Sequence, residues 1–291
     1  MHWIAEPFSY AFMQRALVGS LIVGVVCSVI GCYVVLRSMA FLGDALAHAI
    51  LPGVAIAYLA GVNLLVGALV AAVVIAVGIS AVSRSGRVRE DTAIGIFFAA
   101  ALALGVLLMS MTDSYAADLT HVLFGNVLGI SPTDLLLSGF LGGGVLLAII
   151  LLYRQLLVLS FDPILGRTLG LRTNLLRTVL FLLLAVSIVV SLRTVGVALV
   201  AAMLVTPPAA AYLVVRRLPA MMALSAGIGV VSAVAGLYVS YYLDVASGAA
   251  VVLVATAVFL LAYLFAPARG WAWRLSRKLT LRGTRNSREG L

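Results

Sequence analysis

Gly43-Asp44-Ala45-Leu46-Ala47-His48-Ala49-Ile50-Leu51-Pro52-Gly53 is the stretch on which the reading of this chain turns. It lies inside an apolar run over 39–60 that is long enough to cross a bilayer. An ionisable side chain in such a run is costly and marks a functional site by default. Here there are two, Asp44 and His48, four residues apart. On a helix this spacing puts both on one face, about 40° and ~6 Å apart. Pro52 cannot donate a backbone hydrogen bond to the carbonyl of residue 48, so that carbonyl is expected to be spare. A carboxylate, an imidazole and a carbonyl suit a divalent cation such as Mn²⁺, Fe²⁺ or Zn²⁺. No Cys or Met pair shares the face, which argues against Cu(I). A proton relay and a structural pair capping the helix break are the other readings of the same spacing. Two side-chain ligands make a poor closed site, but a symmetric dimer would bring two Asp and two His to its axis.

The rest of the chain sets this stretch in a membrane. Of 291 residues, 64% are hydrophobic and only 10% charged, and the mean hydropathy is +1.21. Soluble domains are about half apolar and about a quarter charged, so the composition predicts an all-α polytopic membrane protein. Spanning segments are expected near 16–36, 39–60, 62–82, 92–111, 133–153, 175–192, 194–215, 220–243 and 247–266, giving eight or nine true crossings. The segment before them, 1–15, reads as an interfacial lead-in rather than a cleavable signal. The stretch 268–291 reads as a basic cytoplasmic tail. Cys27 and Cys32 share one helix at a spacing that prevents pairing, and read as packing residues.

The net charge of +9 comes from arginines in short loops and the tail. That is a signal of membrane orientation, and no basic patch interleaved with aromatics points to nucleic acid. With the N-terminus outside, every basic residue except Arg15 and Arg193 falls on the cytoplasmic side, and so does the C-terminus. The external loop from Thr112 to Pro132 carries Asp113, Asp118 and His121, and could seal the outer mouth or receive a binding protein.

Two segments look interrupted. The second carries Pro52 and Gly53, the seventh Pro207 and Pro208, and both end in Ala-Tyr-Leu. Interrupted helices in corresponding positions mark transport pathways, and these four residues are the expected pathway breaks. The chain has no Gly-Lys-Ser/Thr run and its one lysine is Lys278, so any ATP that drives transport is hydrolysed by another subunit. Within the longest loop between spans, Asp162 and Pro163 read as an N-cap and first helical turn, with Gly170 as the C-cap. A short capped helix at the membrane surface is either an interfacial linker or a coupling helix that docks on an ATPase.

These residues resemble the permease subunits of ATP-binding-cassette importers for manganese, zinc and iron. The likeness runs over about residues 5–267. It rests on Gly31-Cys32-Tyr33-Val34-Val35-Leu36-Arg37, on 43–53, on Glu90-Asp91-Thr92-Ala93-Ile94-Gly95-Ile96, on His121-Val122-Leu123-Phe124-Gly125-Asn126, on Ser160-Phe161-Asp162, and on Val195-Gly196 running to Thr206-Pro207. Asp118-Leu119-Thr120-His121 and Val245-Ala246-Ser247-Gly248 look most like manganese members, and Pro208 departs from the family pattern. The resemblance implies the architecture of the type II, vitamin B12/siderophore-like importers, with a permease domain over 16–267 in a bacterial cell membrane. It implies a second permease chain, ABC ATPase subunits and an extracytoplasmic metal-binding protein as partners. It implies that Asp44 and His48 hold the transported ion in passing, with no resident cofactor. It implies that Asp162, Pro163, Gly166 and Gly170 lie in the region that contacts the ATPase. A proton-coupled secondary transporter working without an ATPase is the alternative.

Overall fold

The computed structural model describes residues 9–84, 86–111 and 130–266. These form α1 (Ala11–Leu36), α2 (Phe41–Ala49), α3 (Leu51–Leu59), α4 (Leu64–Ser83), α5 (Glu90–Met109), α6 (Pro132–Leu151), α7 (Tyr153–Phe161), α8 (Pro163–Thr168), α9 (Thr173–Val195), α10 (Val197–Val214), α11 (Leu218–Leu243) and α12 (Ser247–Phe265), with no strand among them. Among the described residues nine segments are long and apolar enough to cross a membrane, α2 and α3 together making one of them. A chain that buries its backbone in lipid must satisfy its own N–H and C=O groups, and helices do so within each segment.

The spans begin and end within a few residues of the sequence expectation. The largest difference is at α1, which starts at Ala11 and not near 16. Residues 11–15 therefore continue the first spanning helix, because no breaker interrupts the helix before Ala16. Among the elements outside the spans, α7 has no counterpart in the sequence reading.

Helix α1 lies at the centre, packed against α6, α9, α10 and α11. Helix α2 lies against α5, α9 and α10, and α3 against α4 and α5. Spans α6 and α12 are the most open, and Phe140, Leu136, Leu253 and Phe265 point outward. Such side chains suit lipid.

Lipid tails are as apolar as leucine, so helices in a bilayer are held by close packing and polar contacts. The closest approaches fall on glycines. A Cβ on Gly31 would collide with the Leu204 carbonyl, and one on Gly53 with the Gly67 carbonyl, as would the reverse. These contacts seal α1 on α10 and α3 on α4. Gly43 of α2 leaves room for the Leu204 side chain, whose Cδ1 would lie 2.9 Å from a Cβ there. Overpacking costs about 1–3 kcal/mol. Gly31→Ala should therefore lower the thermal midpoint in detergent, whereas Gly144→Ala, at a position with open space around it, should leave it unchanged.

Candidate functional site

The second span is broken where the sequence suggests. Helix α2 ends at Ala49, Ile50 forms the junction, and Pro52 sits in the first turn of α3, where its missing N–H costs least. Pro52 has no N–H to give to the His48 carbonyl, and the Val54 N–H reaches the Ile50 carbonyl at 3.1 Å.

The pair itself forms. His48 Nε2 lies 3.6 Å from Asp44 Oδ1, with the two side chains 27% and 45% exposed respectively. The rest of α2 from Leu42 to Ala49 is buried, so Phe41, Asp44 and His48 make a single open stripe on an otherwise enclosed helix. The spacing of three and four residues explains the stripe. Phe98 of α5 stands edge-on to both neighbouring rings, 5.4 Å from Phe41 and 6.1 Å from His48 between centroids. Among the described residues no group of three or more His, Cys, Asp or Glu side chains converges. The open stripe thus offers one carboxylate and one imidazole side by side.

The seventh span is not broken at its prolines. Helix α10 runs through Pro207 and Pro208, both buried. Pro208 packs near Gly31, with Cγ 2.8 Å from where a Cβ would stand. Close neighbours hold the backbone and tolerate the lost hydrogen bonds. The interruption lies earlier, at Gly196, whose φ of +83° separates α9 from α10. This is a conformation that glycine reaches without strain.

The short loop helix forms as its caps suggest. Asp162 Oδ1 accepts the Ile164 and Leu165 N–H groups, both at 2.9 Å. At the other end Gly170 takes φ +76°, the Leu171 N–H reaches the Gly166 carbonyl and the Gly170 N–H the Arg167 carbonyl. This is a Schellman closure. Gly166 faces inward, where a Cβ would stand 3.1 Å from Thr173 Cγ2 and 3.4 Å from Val158 Cγ1, while Phe161, Ile164, Leu165 and Leu169 are exposed. A groove of about 500 Å³ separates Tyr153, Phe161 and Asp162 from Arg216 and Arg217. Asp113, Asp118, His121 and the basic tail lie outside the described residues.

Sequence reasoning missed a charged cluster. Arg37, at the end of α1, sends Nη2 to both Glu90 carboxylate oxygens at 2.9 Å. Arg177 of α9 brings Nε to 3.0 Å from Glu90 Oε1, and its Nη1 donates to the Ser83 carbonyl at 3.4 Å. Burial pulls the Arg37 guanidinium below its usual pKa, and the Glu90 carboxylate opposes the shift. In sequence the three residues stand out only as loop charges and part of a family motif. The signal for their pairing was an acidic residue opening α5 on the side where arginines gather.

The profile of the ABC 3 transport family matches residues 9–266. The chain belongs to that family. It is 49% identical to the manganese transport system membrane protein MntC of Halalkalibacterium halodurans, over 91% of each chain. It is 39% identical to the chelated iron transport system membrane protein YfeD of Yersinia pestis, over 90% of this chain and 88% of that one. Its fold matches a chain in the structure of PsaBC from Streptococcus pneumoniae in complex with Fab, at TM-score 0.82 and 36% identity, over 97% of this chain and 99% of that one.

Removing one partner of a buried ion pair costs about 3–5 kcal/mol, because a bare charge is left behind. Glu90→Ala strands two guanidiniums. It should lower the unfolding midpoint in detergent far more than Asp91→Ala, at the exposed next position.

Proposed function

We propose that this chain is the membrane permease of an ATP-driven importer of divalent transition-metal ions, Mn²⁺ ahead of Zn²⁺ and Fe²⁺. The observation that carries this reading is the pair Asp44 and His48 on the open stripe of a broken, otherwise buried helix. The manganese and iron systems among its relatives support the choice of ion. Manganese lies at the weak end of the divalent series, so two ligands cannot select it by affinity alone. Selection then falls to delivery by an extracytoplasmic binding protein and to geometry. Weak coordination also lets the ion leave again.

A second permease chain across the stripe would complete the half-site with another Asp and His. The ion would pass along this axis and be held there briefly. The chain does no covalent chemistry of its own. ATPase subunits would dock on α8, whose exposed Ile164, Leu165 and Leu169 form an apolar knob held rigid by its two caps. On this reading α7, α8 and the C-terminus lie on the cytoplasmic side of a bacterial cell membrane, which the arginine distribution supports.

The test is ATP-dependent Mn²⁺ uptake into vesicles holding this chain, its ATPase and its binding protein. Asp44→Asn and His48→Ala should each abolish uptake while the complex still assembles. Uptake that persists without the ATPase would favour a proton-coupled carrier instead. In the same vesicles Asp162→Ala, which removes a cap worth about 1 kcal/mol, should lower transport-coupled ATP hydrolysis and leave Mn²⁺ binding unchanged.

A further inference from the structure

Helix α5 meets the arm that bears Asp44 and His48 in two places: through Glu90 at Arg37, remote from the pair, and through Phe98 at Phe41 and His48. The arm begins at Arg37. From there the chain turns through Ser38, whose φ of +57° is rare for a residue other than glycine. The turn is closed by the Met39 N–H on the Val34 carbonyl at 3.0 Å and the Ser38 N–H on the Val35 carbonyl at 3.1 Å. The Leu42 N–H then reaches the Met39 carbonyl at 2.9 Å. Arg37 and Phe41 are therefore joined by a short elbow, tied back onto α1 by the Ser38 and Met39 N–H groups.

Glu90, the first residue of α5, holds that elbow. Its carboxylate takes both contacts from Arg37, whose side chain is 8% exposed, and is backed by Arg177 from α9. Eight residues further along α5, Phe98 stands against Phe41 and against the His48 ring. Among the described residues, no hydrogen bond from a third residue fixes the imidazole. Its neighbours are Asp44 at 3.6 Å and the Phe98 edge. One helix thus sets where α2 starts through a charge pair and how His48 turns through a ring contact.

We propose that Glu90, acting through Arg37, and Phe98, acting on the His48 ring, are positioning residues for the ion site: they fix the height and rotation at which α2 presents Asp44 and His48. This rests on the reading of Asp44 and His48 as the ion ligands. Neither residue touches the ion. Outer-shell partners of metal ligands change metal affinity by about 10–100-fold when replaced, so a positioning role shows in affinity in addition to any loss of stability.

The experiment measures Mn²⁺ uptake kinetics in vesicles holding the assembled transporter, for wild type, Glu90→Gln, Glu90→Asp, Phe98→Leu and Asp44→Asn. Glu90→Gln keeps the shape and removes the charge that grips Arg37. It should raise KM for Mn²⁺ roughly tenfold, with the maximal rate changed far less, and Glu90→Asp should recover most of the loss. Phe98→Leu leaves the ion cluster intact and should also raise KM. If Glu90→Gln lowers only the amount of assembled protein or the maximal rate, with KM unchanged, the residue is structural and the proposal is overturned. If Glu90→Gln fails to assemble, Phe98→Leu decides, and an unchanged KM there overturns it as well. Asp44→Asn separates the two levels. Wild-type uptake in that variant removes the ion site itself, whereas lost uptake there beside an unchanged KM in the other variants removes only the positioning role.

Discussion

Backbones that touch hold this bundle together. Lipid gives apolar helices little reason to associate, so contact must come from surfaces that fit at short range. Gly31 against Leu204 and Gly53 against Gly67 allow approaches that any Cβ would block. The consequence for the site is direct. Leu204 of α10 lies between Gly31 of α1 and Gly43 of α2, one residue before Asp44. The packing that assembles the bundle therefore also buries α2 on every side except the stripe bearing Phe41, Asp44 and His48.

Charge is placed with the same economy. Asp44 and His48 sit within a span on an open face, where a partner or water can reach them. Glu90, Arg37 and Arg177 sit near the ends of three helices, half-buried to buried and mutually compensated. The first arrangement suits an ion that comes and goes, the second a joint that stays closed. Helix α5 belongs to both, through Glu90 at its first turn and Phe98 farther along.

Much of this was legible in the sequence. The nine apolar segments, the break before Pro52 and the caps at Asp162 and Gly170 follow from local chemistry, which the chain carries in its own order. The Asp44–His48 pair was legible for the same reason, since a spacing of four residues decides it. What escaped was set by packing between distant segments. Pro207 and Pro208 look like breakers in isolation, yet neighbours keep α10 helical and the chain breaks at Gly196 instead. The Arg37–Glu90–Arg177 cluster joins residues 53 and more positions apart, and no periodicity announces it.

The account stands or falls on whether an ion is held by this pair. Pulsed electron paramagnetic resonance on Mn²⁺ bound to the assembled transporter reads the ligands directly, because a histidine nitrogen on the metal gives a nitrogen hyperfine coupling. The account predicts that coupling in the wild-type protein and its loss in His48→Gln. A wild-type Mn²⁺ signal without nitrogen coupling, identical in His48→Gln, would contradict it.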